Sequence, residues 1–135
     1  RMHIPVFGNG DVNSPEKAKE MRDDFGLDGA MIGRASIGNP WFFDQVKHYL
    51  NTGQKKEEPG TPEKAKMAKR HLEMAIKWKG EVLGVLETRR HYGNYFKGVP
   101  NFKESKSRIL NEKDPTKISQ ELDQVINNFA QKELV

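Results

Sequence analysis

Two short turns hold the residues of this chain whose types and spacing suit chemistry: Asn9-Gly10-Asp11 and Gly33-Arg34. A phosphate dianion is held well where several backbone N–H groups converge, typically at a helix start, where the helix dipole also favours negative charge. Glycine suits such a place because a Cβ would keep the backbone away from the phosphate oxygens. Arg34 adds a planar, permanently charged fork that can bond a phosphate with two parallel N–H groups. Asn9 and Asp11 are suited to orienting the loop or touching a bound ligand. Either turn alone is ordinary, an Asn-Gly bend or a strand end with a surface arginine. Their combination, one βα unit apart, points to phosphate binding.

The elements around the turns explain how they would meet. Each turn follows a short apolar run, and the pattern predicts strands over 3–7 and 30–32. Between them a helix is expected from Pro15 to Phe25, with Ser14 as N-cap and Gly26 as its stop. Ala18, Met21 and Phe25 have the i, i+3, i+7 spacing of its inner face. Strand, turn, helix, strand, turn puts both glycine turns at the carboxyl ends of neighbouring parallel strands. In a (β/α)8 barrel those ends carry function, and the loops after the last two strands commonly hold a phosphate.

The rest of the chain reads as helical. A helix over 41–50 carries Trp41, Phe42, Val46, Tyr49 and Leu50, and residues 54–60 have linker composition. Thr61 is the expected N-cap of a helix to Lys79 with Ala65, Ala68, Leu72, Ala75 and Ile76 in helical period. Further helices are expected over 82–96, 102–110 and from Asp114-Pro115 to Phe129, although Gly84 and Gly93 each cost up to about 1 kcal/mol relative to Ala. Four helices with short connections read as an antiparallel bundle. The fold expected is α/β plus all-α: the last two βα units of a TIM barrel over 1–56, then a four-helix bundle over 61–135.

Charge is unevenly spread. The chain of 135 residues has net charge +4, but residues 1–60 sum to −1 and residues 61–110 to +7. A basic second module suits a polyanion, while a set of solvated helix faces would give the same count. There is no cysteine, hence no disulfide, thiolate metal site or cysteine nucleophile. His3, His48, His71 and His91 show no metal-ligand spacing, so no metal is expected. No apolar stretch approaches the roughly 18 residues of a membrane span, so no membrane partner is expected, and the setting expected is cytoplasmic.

The wording of several stretches goes further. IPVFGNGDVNSPEKA from Ile4, DGAMIGRASIGNPWFF from Asp28, KHYLNTG from Lys47 and ETRRHYGNYFKGVPNFKESKSRI from Glu87 closely resemble the carboxyl-terminal part of bacterial tRNA-dihydrouridine synthases. The resemblance covers nearly the whole chain. It implies an oxidoreductase that uses FMN and NADPH to reduce the C5–C6 double bond of particular tRNA uridines, in a barrel followed by a helical tRNA-gripping domain. Asn9, Gly10 and Asp11 match that family's FMN-contacting turn after strand seven, and Gly33 and Arg34 its phosphate-contacting turn after strand eight. The family's general acid is a cysteine, which this chain lacks. The expectation is therefore a fragment with no catalytic residue of its own, inactive alone, from an active parent.

The expected RNA-binding cluster is Arg89, Arg90, His91, Lys97, Lys103, Lys106 and Arg108, interleaved with Tyr92, Tyr95 and Phe102. Those three aromatics suit either stacking on unpaired bases or the bundle core. A free-standing, non-catalytic RNA-binding module is one alternative, and another FMN or sugar-phosphate barrel is a second, which the Glu87–Ile109 stretch disfavours. Ile4, Val6, Phe7, Met31 and Ile32 lie on strands with open edges, so self-association is expected, with Trp41, Phe42 and Phe43 as contact candidates.

Overall fold

The computed structural model describes residues 3–133. The chain divides into two compact units, Arg1–Glu58 and Pro59–Val135, each described here by itself.

The first unit runs β1 (Phe7–Gly8), α1 (Pro15–Asp23), β2 (Gly29–Ala30), a single 3-10 turn (Arg34–Ser36) and α2 (Phe42–Thr52). The strands pair in parallel, Phe7 opposite Gly29 and Gly8 opposite Ala30, with α1 as the crossover. Both strands are shorter than the pattern predicts. Pro5 has no N–H to give a ladder, and the Val6 N–H goes instead to the Asp28 carboxylate at 2.8 Å. Past Gly8 the chain turns away through Gly10 (φ +150°) and Asp11 (φ +42°).

Helix α1 begins as expected, with the Ser14 hydroxyl accepting the Lys17 N–H at 3.2 Å and Pro15 in the first turn. It ends earlier than expected. The helix stops at Asp23, the chain reverses through left-handed Gly26, and the Leu27 N–H bonds back to the Met21 carbonyl. Phe25 therefore falls in the turn and is 65% exposed, not on the inner face. Val12, Ala18, Met21, Phe42 and Val46 form the core, flanked by Leu27, Ala30, Ile32, Ala35 and Leu50. Phe42 is thus consumed by its own unit's core and is withdrawn as an external contact. Trp41 is half-buried and Phe43 exposed.

The second unit is helical throughout: α3 (Thr61–Lys79), α4 (Glu81–Tyr95), α5 (Lys103–Asn111) and α6 (Pro115–Glu133). Residues 134–135 of the segment expected over 61–135 lie outside the described residues. Thr61 is already helical, and the cap position falls to Gly60, whose carbonyl takes the Lys64 N–H. Helix α3 packs on α4 and α6, and α5 on α4 and α6. Ala65, Ala68, Leu72, Tyr92, Ile109, Ile118, Leu122 and Val125 are fully enclosed. At Gly84 α3 and α4 pass close together: a Cβ there would stand 2.7 Å from the Ile76 backbone. Among the described residues, no helix is long and apolar enough to cross a membrane.

Candidate functional site

Parallel pairing of β1 and β2 in matched register places the chain segments that leave them side by side. Asn9, Gly10 and Asp11 leave β1, while Gly33 and Arg34 follow β2. All five line one open cavity of about 420 Å³, together with Val12, Asn13, Met31 and Ala35. Those four were not among the expected site residues. Asn13 carried a signal, a polar residue directly beyond a glycine turn; the other three are apolar and gave none.

Arg34 reaches across and donates from Nη2 to a carboxylate oxygen of Asp11, tying the two turns together with both side chains largely in water. The cavity wall is low on both sides. A Cβ at Gly33 would meet no heavy atom within 4 Å, and one at Gly10 only the Met21 terminal methyl at 4.0 Å. Backbone conformation favours glycine at both turns: Gly10 has φ +150°, and Gly33, at φ −109° and ψ −100°, lies outside the ordinary helical and extended regions. Open space beside both glycines leaves their backbone accessible from the cavity. One guanidinium and a bare backbone wall fit a phosphate-sized anion, with Asp11 as its competitor for Arg34.

In the second unit the seven expected RNA-binding residues separate. Arg89 is half-buried, donates to the Glu112 carbonyl at 3.3 Å, and leaves its Nε enclosed without a partner. Arg108 lies between Glu104 at 3.4 Å and Glu121 at 3.5 Å. His91 packs its ring 4.7 Å from that of His71, whose Nδ1 lies 3.1 Å from the Tyr95 hydroxyl. Burial holds both histidines below the ordinary value, helped by charge: His91 itself and Lys79 for His71, and chiefly Arg90 for His91. Arg90, Lys97, Lys103 and Lys106 are exposed. Tyr92, Tyr95 and Phe102 are all buried, which removes them as stacking platforms. Burial pushes the Tyr95 hydroxyl up to about 12. Tyr92 lies four residues after buried Thr88, Tyr95 three after Tyr92, and Phe102 seven before buried Ile109, spacings that put all three on the inward side.

Comparison with known proteins assigns the chain. The family model described as dihydrouridine synthase matches residues 1–131. The chain belongs to the dihydrouridine synthase family. Its similarity to curated family members is substantial. It is 37% identical over 119 residues to the probable tRNA-dihydrouridine synthase of Rickettsia conorii, covering 88% of this chain and 36% of that protein. It is 42% identical over 106 residues to tRNA-dihydrouridine synthase B of Pseudomonas putida, covering 78% of this chain and 32% of that protein. The counterpart in Pseudomonas aeruginosa is 39% identical over the same length. The chain thus spans about a third of the length of these dihydrouridine synthases.

Proposed function

We propose that this chain serves the reduction of uridine to 5,6-dihydrouridine in tRNA, as the part that holds the phosphate end of FMN and grips the RNA. The first unit is read as the last two βα units of a (β/α)8 barrel, and the second as its helical tRNA-binding bundle. When bound, FMN supplies the hydride, with NADPH as the reductant that recharges it. This chain's own work is binding. Gly10 and Gly33 admit the phosphate to the backbone, Arg34 neutralises it, Asn9 shapes the first turn, and Asp11 holds Arg34 in place until the phosphate takes it over. With no cysteine, the chain supplies no thiol acid for the ring carbon. On the helical unit, Arg90, Lys97, Lys103 and Lys106 are read as the phosphate contacts; Arg89, His91 and Arg108 serve the helix packing around them.

One observation carries the reading: two turns some twenty residues apart in sequence line a single open cavity, with the Arg34 guanidinium and uncovered glycine backbone on its wall. The test compares FMN with riboflavin, which lacks the phosphate. FMN should bind this chain more tightly, and Arg34→Ala should abolish most of that preference, on the order of tenfold for a lost charge-assisted pair. Equal affinity for the two flavins would remove the phosphate site.

A further inference from the structure

With Tyr92, Tyr95 and Phe102 buried, Trp78 is the exposed large aromatic among the described residues of the helical unit. Trp78, in the last turn of α3, is 78% exposed. It stands just before Gly80, which joins α3 directly to α4. At that end the exposed side of α4 begins with Leu83 and Leu86, each at least half exposed. Helical spacing carries the same side on to Arg90, opposite the buried row of Gly84, Thr88 and Tyr92. Lys97 follows in the turn after α4, and the Lys106 ammonium lies 3.8 Å from where a Gly93 Cβ would stand. The face therefore changes from apolar to cationic along about 20 Å of helix.

The cations on this face are available. Arg90 has a carboxylate no nearer than that of Glu87, at 4.0 Å, and Glu87 is itself held by Lys79. Lys97 and Lys106 engage no carboxylate among the described residues. An exposed indole just before the α3–α4 junction, with exposed leucines and uncompensated cations on the helix that follows, suits an unpaired base followed by its phosphates. Every base offers a π-face for stacking, and the phosphates supply the complementary charge.

We propose that this face holds an unpaired RNA segment, with a base stacked on Trp78 and the adjoining phosphates on Arg90, Lys97 and Lys106. The proposal rests on the reading of RNA as the partner and adds the residue that recognises a base. The chain has two tryptophans, so Trp41→Phe leaves Trp78 as the only indole. Adding an unmodified tRNA transcript should quench its emission. Trp78→Ala should weaken binding about 5- to 100-fold without changing the dependence on salt, and Trp78→Phe should recover most of the loss. Arg90→Ala and Lys97→Ala should instead lower the salt slope, by about 0.7 each on single-stranded RNA. Unquenched emission, with wild-type RNA affinity in Trp78→Ala, would overturn the stacking site while leaving RNA as the partner. Failure of the chain to bind the transcript at all would overturn both. A dimer that Trp78→Ala converts to monomer, with RNA affinity unchanged, would assign the face to a second copy and overturn the proposal.

Discussion

Arg34 and Asp11 pair in nearly full solvent, where such an ion pair adds little to stability. Arg34→Ala should therefore leave the melting temperature close to that of the wild type while it removes the preference for FMN over riboflavin. A large drop in melting temperature would instead make Arg34 a structural residue. His71 and His91 behave in the opposite way, because they are half-buried against each other and against Tyr95. The groups facing the pair are the Tyr95 hydroxyl, Lys79, Arg90 and Glu87, of which the two cations oppose protonation. Both folded values lie below the unfolded one, so the unfolded chain binds more protons as pH falls. Stability should be full above about 6.5 and decline as pH drops from there through the folded values. Thermal melts between pH 7.5 and 5 should show this decline, and the pair His71→Gln with His91→Gln should flatten it. An unchanged pH profile in that double variant would clear the histidines of the effect.

The helices and strands respond differently to the forces that build them. Helix α4 tolerates Gly84 for a reason outside its own propensity: α3 passes so close that a Cβ would meet the Ile76 backbone at 2.7 Å. Backbone cannot move aside as a side chain tip can. Gly84→Ala should therefore destabilise the helical unit by about 1–3 kcal/mol, despite alanine's better helix propensity. Circular dichroism melts would read this as a lower midpoint; a raised midpoint would show that the two helices separate easily. Strands β1 and β2 are limited by what flanks them. Pro5 on one side and the Gly10 turn on the other leave β1 two residues for the ladder, and β2 pairs over only the matching two.

At the scale of the whole molecule, the first unit leaves unusually large apolar side chains in water. Phe7 is 70% exposed, Ile4 68% and Met31 59%. Apolar groups of that size, gathered on one short strand pair and its flanks, recruit a partner surface. The chain should self-associate at micromolar concentration, and Phe7→Ser with Met31→Ser should shift it toward monomer. Sedimentation velocity measures this directly, and a wild-type chain that is monomeric throughout would end the claim. The basic second unit is a separate matter, since its charge favours dispersal between copies and attraction to a polyanion.

Local signals determined much of this molecule. Ser14-Pro15 set the start of α1, the 3.6-residue period of apolar positions set α3 to α6, and the wording of 4–18 and 28–43 marked the family. These depend on neighbours within a few residues, where sequence and physical cause coincide. Only the tertiary structure decided which face each side chain took. Phe25 fell into a reversal and reached solvent, while Phe42 was drawn into the core. Tyr92, Tyr95 and Phe102 went inward, and Trp78 was left outside. Arg89 and Arg108 found backbone and carboxylate partners that lie 23 and 13 residues away, a distance over which periodicity carries no information. The same holds for the cavity at the two turns. Their residue types were visible from the start, but Asp11 became the partner of Arg34 only because parallel pairing of β1 and β2 brought the two turns together.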